Sequence, residues 1–392
     1  MRILLLTPRI PWPPLDGGRI AMSRLAESLA ASGAEVEILS LNPRKHHARA
    51  DGLPLPLRAV DLDTSRRMGP ALRSVLRAVP YVVARFDSRE LHKALDAELR
   101  AFRPDVVQVE SPFLLQYVED VRAVSQARVA LRSLNVEFRI WEGLVREEPN
   151  AVRRLALGHV ASSLRKYEVR HLNTPDAVIP ISAVDADDFR RLGCTRPMHV
   201  VPCAVRLPDV LVEELEPLSV GFIGSLDYRP NQHAVEWILD ELWPLVTSRV
   251  PNARLTIAGS SPPEWLLRRA LAASIEILPN VDDANAFTRR MAILIAPLFA
   301  GGGMRIKVLE AMALGKAVVA TPLGAGGIDV DDGQDILIAN DPSTFADSVV
   351  RLLEDPAAAR RLGAAARANT AARYDSDALA RGLLEFYELL VC

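Results

Sequence analysis

The chain has 392 residues, of which 49% are apolar and 24% charged, and its net charge is −2. This length exceeds one ordinary core and indicates two or three domains, while the near-neutral charge argues against a nucleic-acid partner. The three cysteines (Cys194, Cys203 and Cys392) are widely spaced, which argues against a disulfide framework or a zinc site. No apolar run is long enough for a signal peptide or for the roughly 20 residues of a membrane span. We therefore expect a cytoplasmic protein.

Short apolar runs alternate with helical patterns along the chain, which predicts parallel sheets with helices on both faces. The strands predicted in the first half are residues 3–6, 36–39, 106–109, 129–131, 177–181 and 200–202. Those predicted in the second half are SVGFIGS, ARLTIAGS, IEILP, AILIAPL, AVVATP and DILIA. Two blocks of six strands predict an α/β protein with two doubly wound domains, 1–206 and 207–375.

Three helices are predicted from the spacing of their apolar residues. The first covers residues 19–32 and ends at Gly33. The second begins near Asn231, and its predicted buried face comprises Ala234, Ile238, Leu242 and Leu245. The third covers residues 376–392 and follows a complete second block, so its apolar side chains are expected to pack back on the first domain. These side chains are Leu383, Phe386, Tyr387 and Leu390.

One basic segment, residues 66–86, interrupts the pattern of strands and helices. It mixes five arginines with aliphatic and aromatic residues. The segment could lie on an anionic membrane surface, which would make the protein peripheral to the inner face of the cell membrane. It could equally be a helix pair with a solvated basic face and a break at Pro80. Both interpretations stay open.

The sharpest motif is APLFAGGGMRIKVLEAMALGKAVVATP in the second half. A strand leads into the glycine run Gly301, Gly302 and Gly303, and a helix with the buried stripe Ile306, Leu309 and Ala313 follows. Glycines allow the backbone N–H groups to approach a ligand, and the helix N-terminus favours an anion. This order of elements predicts a phosphate site.

Two cations, Arg305 and Lys307, fall in the predicted first turn of this helix. Cations there oppose the helix dipole, and a bound anion would remove that penalty. The alternative is that both point into solvent and that Lys307 pairs with Glu310, three residues further on. Glu310 could accept hydrogen bonds from the two hydroxyls of a ribose. From composition alone, it would be a half-exposed helix residue.

The first strand is followed by PRIPWPPLDGGRI, which lacks the G-x-G-x-x-G of a dinucleotide site and disfavours a nicotinamide oxidoreductase. Asp16, Gly17, Gly18 and Arg19 open the first long helix instead. The glycine pair permits a close backbone approach to a ligand. The alternative is an ordinary helix start with Asp16 as its cap.

These motifs resemble those of glycosyltransferase family 4, a family of retaining enzymes with the GT-B fold. The similarity covers essentially the whole chain and is carried by PLDGGR, LNVEFRIWEGL, GFIGSLDYRPNQHAVEWI and GGGMRIKVLEAMALGKAVVATPLGAGGIDV. The resemblance implies two Rossmann-like domains facing a cleft, with the sugar donor on the second domain and the acceptor mainly on the first. It also implies that the final helix crosses back to the first domain.

The resemblance carries over to single residues, with departures. It implies that Glu310 binds the donor ribose, while the first glutamate of that family motif falls at Gly302. Ser225 and Asn231 stand near the slots of the family's diphosphate-binding Arg and Lys, which Arg305 and Lys307 could replace. Leu134 stands in the slot of a family histidine, and Gly326 in that of a glutamate. Candidate contacts to acceptor or sugar at the ends of first-domain strands are Glu110, Asn135 and Glu137.

The implied activity is metal-independent, retaining transfer of a sugar from a nucleoside-diphosphate sugar, with UDP or GDP as the expected nucleotide. The acceptor could be a glycan, a lipid-linked compound or a small molecule, and a role in cell-envelope polysaccharide is expected. No cofactor and no bound metal are expected, because the leaving diphosphate itself would take the acceptor proton. Two alternatives remain: a non-catalytic protein that binds nucleotide sugars, and an epimerase-like sugar-nucleotide enzyme.

Overall fold

The computed structural model describes residues 1–14, 16–63, 79–208, 215–273, 275–301 and 303–392. The chain forms two compact units. Unit 1 comprises Met1–Ala204 and Ser376–Cys392, and unit 2 comprises Val205–Asp375. The sequence predicted the change of domain after residue 206, and the structure has it after residue 204. The C-terminal helix belongs to unit 1, as the family resemblance implied.

Unit 1 contains a six-stranded parallel sheet in the order β3-β2-β1-β4-β5-β6. Its strands are β1 Arg2–Thr7, β2 Glu35–Pro43, β3 Leu57–Leu62, β4 Val106–Val109, β5 Arg128–Ser133 and β6 Ala177–Pro180. The central strands are buried on both faces, as a sheet covered by helices requires. The direction of strand order reverses between β1 and β4. Crevices at such a switch point, beyond the carboxyl ends of the strands, are where open α/β sheets bind ligands.

Two strand predictions for unit 1 were wrong. Leu57–Leu62 forms edge strand β3, which was not predicted because only Val60 of its residues is buried and prolines precede it. Residues 200–202 do not form a strand. The segment runs beside β6 with irregular bonds, including Val201 N–H to the Pro180 carbonyl at 2.9 Å. Pro197 and Pro202 lack the N–H donors that a regular ladder needs.

Helices cover both faces of the unit 1 sheet. They are α1 Gly17–Ala31, α2 Tyr81–Ala84, α3 Arg89–Phe102, α4 Val118–Val124, α5 Glu137–Glu147, α6 Ala151–His171, α7 Ala183–Arg191 and the C-terminal Ser376–Val391. The C-terminal helix buries Ala380, Leu383 and Tyr387 in one core with β1 and α1. Phe386 stacks on His199, with ring centroids 5.2 Å apart. The apolar side chains of this helix therefore pack on unit 1, as the sequence predicted.

Unit 2 contains a second six-stranded parallel sheet, in the order β12-β11-β10-β7-β8-β9. All six predicted strands of this half are present: β7 Ser219–Ile223, β8 Arg254–Gly259, β9 Glu276–Pro279, β10 Ile293–Ala296, β11 Ala317–Ala320 and β12 Leu337–Ile338. The strand order reverses between β7 and β10, which places a second switch point there.

The helices of unit 2 are α8 Arg229–Trp237, α9 Trp243–Arg249, α10 Glu264–Ala272, α11 Ala284–Arg290, α12 Ile306–Ala313, α13 Pro342–Glu354 and α14 Pro356–Arg373. The C-terminal helix of unit 1 is α15. A π-helical turn, Ile238–Leu242, joins α8 to α9. It takes more residues per turn than an α-helix and shifts the buried face. The prediction for Leu245 was therefore wrong, because Leu245 is exposed and Val246 is buried instead.

Most of the basic segment predicted as a membrane candidate, residues 66–78, lies outside the described residues. Its end lies in α2, where Val83 and Ala84 are buried. Within the described ranges, no helix has the length and apolar character needed to cross a membrane.

Candidate functional site

The glycine loop of unit 2 begins after β10 and ends where α12 starts. Gly301 and Gly303 have φ angles of +98° and +79°, in the left-handed region that favours glycine. A Cβ atom at Gly301 would lie 3.2 Å from the Tyr228 hydroxyl, so the loop also passes close to its neighbour. Gly302 lies outside the described residues. The loop after β10 and the loop after β7, which carries Tyr228, therefore meet at the switch point.

Arg305 caps this loop rather than opening the helix. It stands one residue before α12, which corrects the prediction that it lies in the first turn. Its guanidinium donates to the carbonyls of Gly301 at 2.9 Å and Leu323 at 3.3 Å. Burial lowers the pKa of Arg305 from its usual value. The side chain thus braces the glycine loop against the loop that follows β11.

Lys307 and Glu310 form an ion pair on α12, with 2.9 Å between Nζ and Oε2. The Glu310 side chain is only 8% exposed, whereas that of Lys307 is 39% exposed. The alternative that Lys307 pairs with Glu310 is therefore present in the structure, although Glu310 is buried rather than half-exposed as composition alone indicated. The predicted buried stripe was also too narrow, because α12 is covered on nearly all sides and buries Val308, Ala311 and Met312 as well.

Ser225 and Asn231 lie together at the carboxyl end of β7. The Asn231 amide donates to the Ser225 carbonyl at 2.8 Å, and the Ser225 hydroxyl lies 3.0 Å from that of Ser260, beyond β8. Both are exposed. Beside them, a Cβ atom at Gly259 would come within 1.9 Å of the Gly224 carbonyl oxygen. The structure therefore gathers the predicted donor-side residues of unit 2 at one switch point, and their binding role stays a prediction.

Two features of this site were missed from the sequence. Tyr228 contacts the glycine loop, and only its place in the DYRPN run could have indicated this. The loop after β11 packs against β10, since a Cβ at Gly324 would be 2.0 Å from the Ala296 carbonyl oxygen. Gly327, with φ +82°, approaches the backbone of Met304 in the same way. The glycines of the GAGG run, residues 324–327, were the sequence feature that could have predicted this close backbone packing.

In unit 1, Asp16 acts as the N-cap of α1. Its Oδ1 accepts from the Arg19 backbone N–H at 3.1 Å and from the Arg9 guanidinium at 2.7 Å. Arg19 is buried, and this burial lowers its pKa. Gly17 is exposed at the helix start, while Gly18 approaches Arg9 so closely that a Cβ would lie 2.7 Å from Nη2. The helix-cap alternative for Asp16 is thus the one that the structure shows.

A pocket with a volume of about 790 Å³ opens beyond the carboxyl ends of β1, β2, β4 and β5. Four predicted residues line it: Gly18, Glu110, Asn135 and Glu137. Asp16, Gly17 and Arg19 do not belong to its lining. Leu134, which takes the slot of the family histidine, does. The pocket therefore sits at the switch point of unit 1, where a ligand is expected.

A buried polar network forms the floor of this pocket. Glu110 pairs with Arg132 at 3.1 Å, and their side chains are 1% and 0% exposed. Gln108 donates to the other carboxylate oxygen of Glu110 and accepts from the Tyr387 hydroxyl at 2.6 Å. Arg132 also donates to the Ala21 carbonyl of α1 at 3.2 Å. The sequence did not predict this network, and polar residues inside apolar strands were its only signal.

Two carboxyl groups with raised pKa values lie at the start of α5. Burial raises the pKa of Glu137 to about 7. Burial, helped by the neighbouring Glu137, raises the pKa of Glu168 to about 8. Glu168 comes from α6 and accepts from the Phe138 N–H at 3.1 Å, so it caps α5 from another helix. Glu168 was not predicted.

The described residues contain no group of three or more His, Cys, Asp or Glu side chains placed to hold a metal ion. Each of the two parallel sheets has a switch point at the carboxyl ends of its strands, which defines a two-domain, doubly wound α/β protein. The family "Glycosyl transferases group 1" matches residues 217–355, and "Glycosyl transferase 4-like domain" matches residues 16–204. The chain therefore belongs to glycosyltransferase family 4, with the GT-B fold, and is a glycosyltransferase.

Two relatives illustrate the range of similarity. A phosphatidyl-myo-inositol mannosyltransferase of Mycobacterium tuberculosis is 30% identical over 260 residues, which cover 64% of this chain and 63% of that protein. The chain thus spans just under two thirds of that relative. An uncharacterised 44.6 kDa protein in the cps region of Klebsiella pneumoniae is 23% identical over 89% of this chain and 90% of its own length.

Solved structures share the fold at lower identity. Sucrose-phosphate synthase from Thermosynechococcus elongatus has a TM-score of 0.72 at 17% identity, covering 100% of this chain and 99% of that one. Anabaena Alr3699/HepE in complex with UDP has a TM-score of 0.65 at 13% identity, covering 99% of this chain and 100% of that one.

Proposed function

We propose that this glycosyltransferase is retaining and metal-independent, and that it uses a nucleoside-diphosphate sugar with UDP or GDP as the nucleotide. The observation that carries the proposal is the buried Glu310 of α12, held 2.9 Å from Lys307 behind the glycine loop. A buried carboxylate paired with a half-exposed cation provides an acceptor for ribose hydroxyls and a donor for phosphate oxygens. In an ordinary ion pair on the surface of a helix, both side chains would be exposed.

In this proposal the donor binds at the switch point of unit 2. Glu310 accepts hydrogen bonds from the ribose, and Lys307 turns from Glu310 to the diphosphate. The amides of the glycine loop and the N-terminus of α12 add favourable partial charges. Arg305 acts mainly by holding the loop in shape, because its guanidinium donates to the backbone carbonyls of Gly301 and Leu323. Ser225 and Asn231 are the proposed polar contacts on the β7 side.

The proposed reaction breaks the bond between the anomeric carbon and the diphosphate oxygen. The acceptor oxygen forms its bond to that carbon on the same face, and its proton passes to the leaving diphosphate. Lys307, the loop amides and α12 stabilise the charge that develops on the diphosphate. The protein then needs no catalytic base of its own, because the diphosphate accepts the proton.

The known ligands and names of similar proteins support the proposed classes of donor and acceptor. Anabaena HepE and the pneumococcal O-GlcNAc transferase GtfA, which share the fold, have been solved with UDP. One relative is a phosphatidyl-myo-inositol mannosyltransferase, and another comes from a cps region. We therefore propose a hydroxyl acceptor on a glycan, a lipid-linked compound or a small molecule. Action in the cytoplasm, at the inner face of the cell membrane, is part of the same proposal.

Nucleotide titration of the purified protein tests the donor site. UDP, GDP, ADP and CMP are compared by calorimetry, and the tightest binder is repeated with Glu310→Gln. Hydrogen bonds to a charged group contribute about 1.5–3 kcal/mol, so we expect binding to weaken about ten- to a hundredfold. Glu264→Gln is the matched control, because Glu264 is an exposed helix glutamate of unit 2. Equal nucleotide binding by Glu310→Gln and the control would exclude this donor site.

Two further measurements test the chemistry. NMR of the product should show the anomeric configuration of the donor, and activity should survive EDTA. An inverted product or full loss of activity in EDTA would contradict the proposal.

One observation keeps a second candidate open. Leu134 lines the unit 1 pocket where the family places a histidine, so this chain lacks an imidazole at that position. A non-catalytic protein that binds nucleotide sugars would tolerate such a change. Tight nucleotide-sugar binding with neither transfer nor hydrolysis would favour it, and formation of an epimerised nucleotide sugar without acceptor would favour an epimerase.

A further inference from the structure

The pocket of unit 1 carries four cationic side chains in its lining: Arg9, Arg44, Lys45 and Arg85. Two of them already have carboxylate partners. Arg9 lies 2.7 Å from Asp16, and Arg44 lies 3.6 Å from Asp63. Lys45 is exposed at the pocket. Lys45 and Arg85 therefore carry the positive charge of the pocket that no ion pair among the described residues balances.

Arg85 is the more informative of the two. Its Nε is buried, and within the described part of the chain it has no hydrogen-bond partner. The guanidinium lies 5.1 Å from the centre of the Phe86 ring, and Phe86 stacks on Phe113 with centroids 5.4 Å apart. A buried N–H donor without an acceptor is costly, and an acceptor oxygen on a ligand would remove that cost. The aromatic pair beside it offers an apolar wall.

The acidic side chains of the pocket do not cancel this charge. Glu110 is neutralised beneath the floor by Arg132 at 3.1 Å. Burial raises the pKa of Glu137 to about 7, so near neutral pH much of it is uncharged. Asp63 is held by Arg44. The pocket is therefore net positive at Lys45 and Arg85.

We propose that this pocket binds a phosphate group carried by the acceptor, with Arg85 and Lys45 on the phosphate oxygens and the rest of the acceptor against Phe86 and Phe113. An arginine fork and a separate ammonium suit the several oxygens of a phosphate. The role as acceptor rests on the proposed function; the phosphate site itself rests on the pocket.

Binding by the full chain tests the site directly. Glycerol 3-phosphate is titrated against glycerol, its uncharged counterpart, with the nucleotide site filled by a saturating nucleoside diphosphate. We expect the wild type to bind glycerol 3-phosphate and not glycerol. Arg85→Gln should bind it about ten- to a hundredfold more weakly. Arg85→Lys, which keeps the charge but loses the fork, should lie between the two.

Arg100→Gln is the matched control, because Arg100 is an exposed arginine of unit 1 paired with Asp96 at 3.0 Å. It loses the same charge away from the pocket and should bind like the wild type. Thermal unfolding of each variant checks folding. Measurable binding of glycerol that matches that of glycerol 3-phosphate, or equal binding of the phosphate probe by Arg85→Gln and Arg100→Gln, overturns the proposal.

Vesicles distinguish the two sources of phosphate. If the group belongs to a lipid headgroup, phosphatidylglycerol vesicles should bind, phosphatidylcholine vesicles should not, and Arg85→Gln should reduce the binding more than Arg100→Gln does. If a free phosphate ester suffices, glycerol 3-phosphate binds without vesicles. Binding of neither probe overturns the proposal.

Nucleotide binding separates this proposal from the proposed function. UDP or GDP should bind to Arg85→Gln as tightly as to the wild type. Nucleotide binding without phosphate-probe binding would remove the pocket proposal alone. Phosphate-probe binding that depends on Arg85, in a chain that binds no nucleotide, would remove the proposed function and leave the pocket assignment.

Discussion

The two sheets share a strand topology around their switch points but build different kinds of site there. In unit 2, backbone approaches backbone between the ends of β7 and β8 and between β10 and the loop after β11, and Gly259 and Gly324 allow these approaches. In unit 1, the loops stand apart around a pocket of about 790 Å³ lined by side chains. Contacts from backbone groups suit a part of the substrate that is the same in related enzymes. A pocket lined by side chains suits a part that differs between them, because substitutions can reshape it. This difference agrees with the proposal that the nucleotide binds in unit 2 and the acceptor in unit 1.

The ion pairs of the two sites differ in the same sense. The Glu110–Arg132 pair of unit 1 is 1% and 0% exposed, while in the Glu310–Lys307 pair of unit 2 the lysine is 39% exposed. A fully buried pair cannot open without leaving a buried charge unpaired, so we expect it to keep the surrounding structure fixed. Because the Lys307 side chain is partly exposed, it can be hydrated when it leaves Glu310, so this pair can open toward a ligand at a lower cost than the fully buried pair. We infer that the Glu110–Arg132 pair supports the unit 1 pocket from beneath, and that the Glu310–Lys307 pair itself contacts the ligand in unit 2.

The largest expected effect separates these two pairs. Arg132→Met leaves the Glu110 carboxylate buried without its cation and should lower the free energy of unfolding by about 3–5 kcal/mol. Lys307→Met removes the half-exposed partner of the buried Glu310 and should lower the free energy of unfolding by less, about 1–3 kcal/mol, while weakening nucleotide binding. Denaturant unfolding and calorimetry measure both. The double variant Glu110→Gln/Arg132→Met should recover part of the loss. If Arg132→Met and Lys307→Met lowered the free energy of unfolding equally, the proposed difference between the two ion pairs would be wrong.

The next effect tests the backbone character of unit 2. In Gly324→Ala the new Cβ would lie 2.0 Å from the Ala296 carbonyl oxygen, so the backbone must move. We expect a loss of about 1–3 kcal/mol in the free energy of unfolding, together with weaker nucleotide binding. In Gly18→Ala of unit 1 the nearest atom is the mobile end of Arg9, at 2.7 Å. That variant should stay within about 1 kcal/mol of the wild type. Equal losses would show that both sites are equally tight.

The parts that were predictable from the sequence are those that depend on neighbouring residues. The apolar runs of β7 to β12, the glycine loop and the cap at Asp16 follow from strand period, left-handed turns and capping chemistry. The edge strand β3 escaped because an exposed strand has no apolar run. Leu245 was misplaced because a π-helical turn changes the period without a sequence marker.

The parts that were not predictable join residues far apart in the chain. Tyr387 bonds to Gln108, 279 positions away, and Glu168 caps a helix that starts 31 positions before it. Arg305 was expected at a ligand, yet it bonds to carbonyls that only the folded loops bring near. Such contacts depend on the packing of whole elements, which local periodicity does not report.

A smaller effect tests how α15 supports the unit 1 pocket. Tyr387→Phe removes the hydroxyl that donates to Gln108 at 2.6 Å and leaves a buried acceptor without its donor. We expect a loss of about 1–2 kcal/mol in the free energy of unfolding. Tyr228→Phe, at an exposed tyrosine of unit 2, should cause almost none. Thermal unfolding of both variants measures the difference, and an unchanged Tyr387→Phe would show that the network is not held from α15.

The smallest effect concerns pH and should be confined to unit 1. Burial raises the pKa of Glu168 to about 8, above its unfolded value of about 4.3, so the native state holds a proton that the unfolded state has lost. Stability should therefore be full below about pH 4.3 and decrease as pH rises toward 8. Between pH 7 and 8 we expect a loss on the order of 1 kcal/mol. Glu168→Gln should flatten this slope, whereas Glu310→Gln in unit 2 should not. Because Glu168 caps α5 beside the pocket residue Glu137, a slope unchanged by Glu168→Gln would mean that this helix start is hydrated in solution.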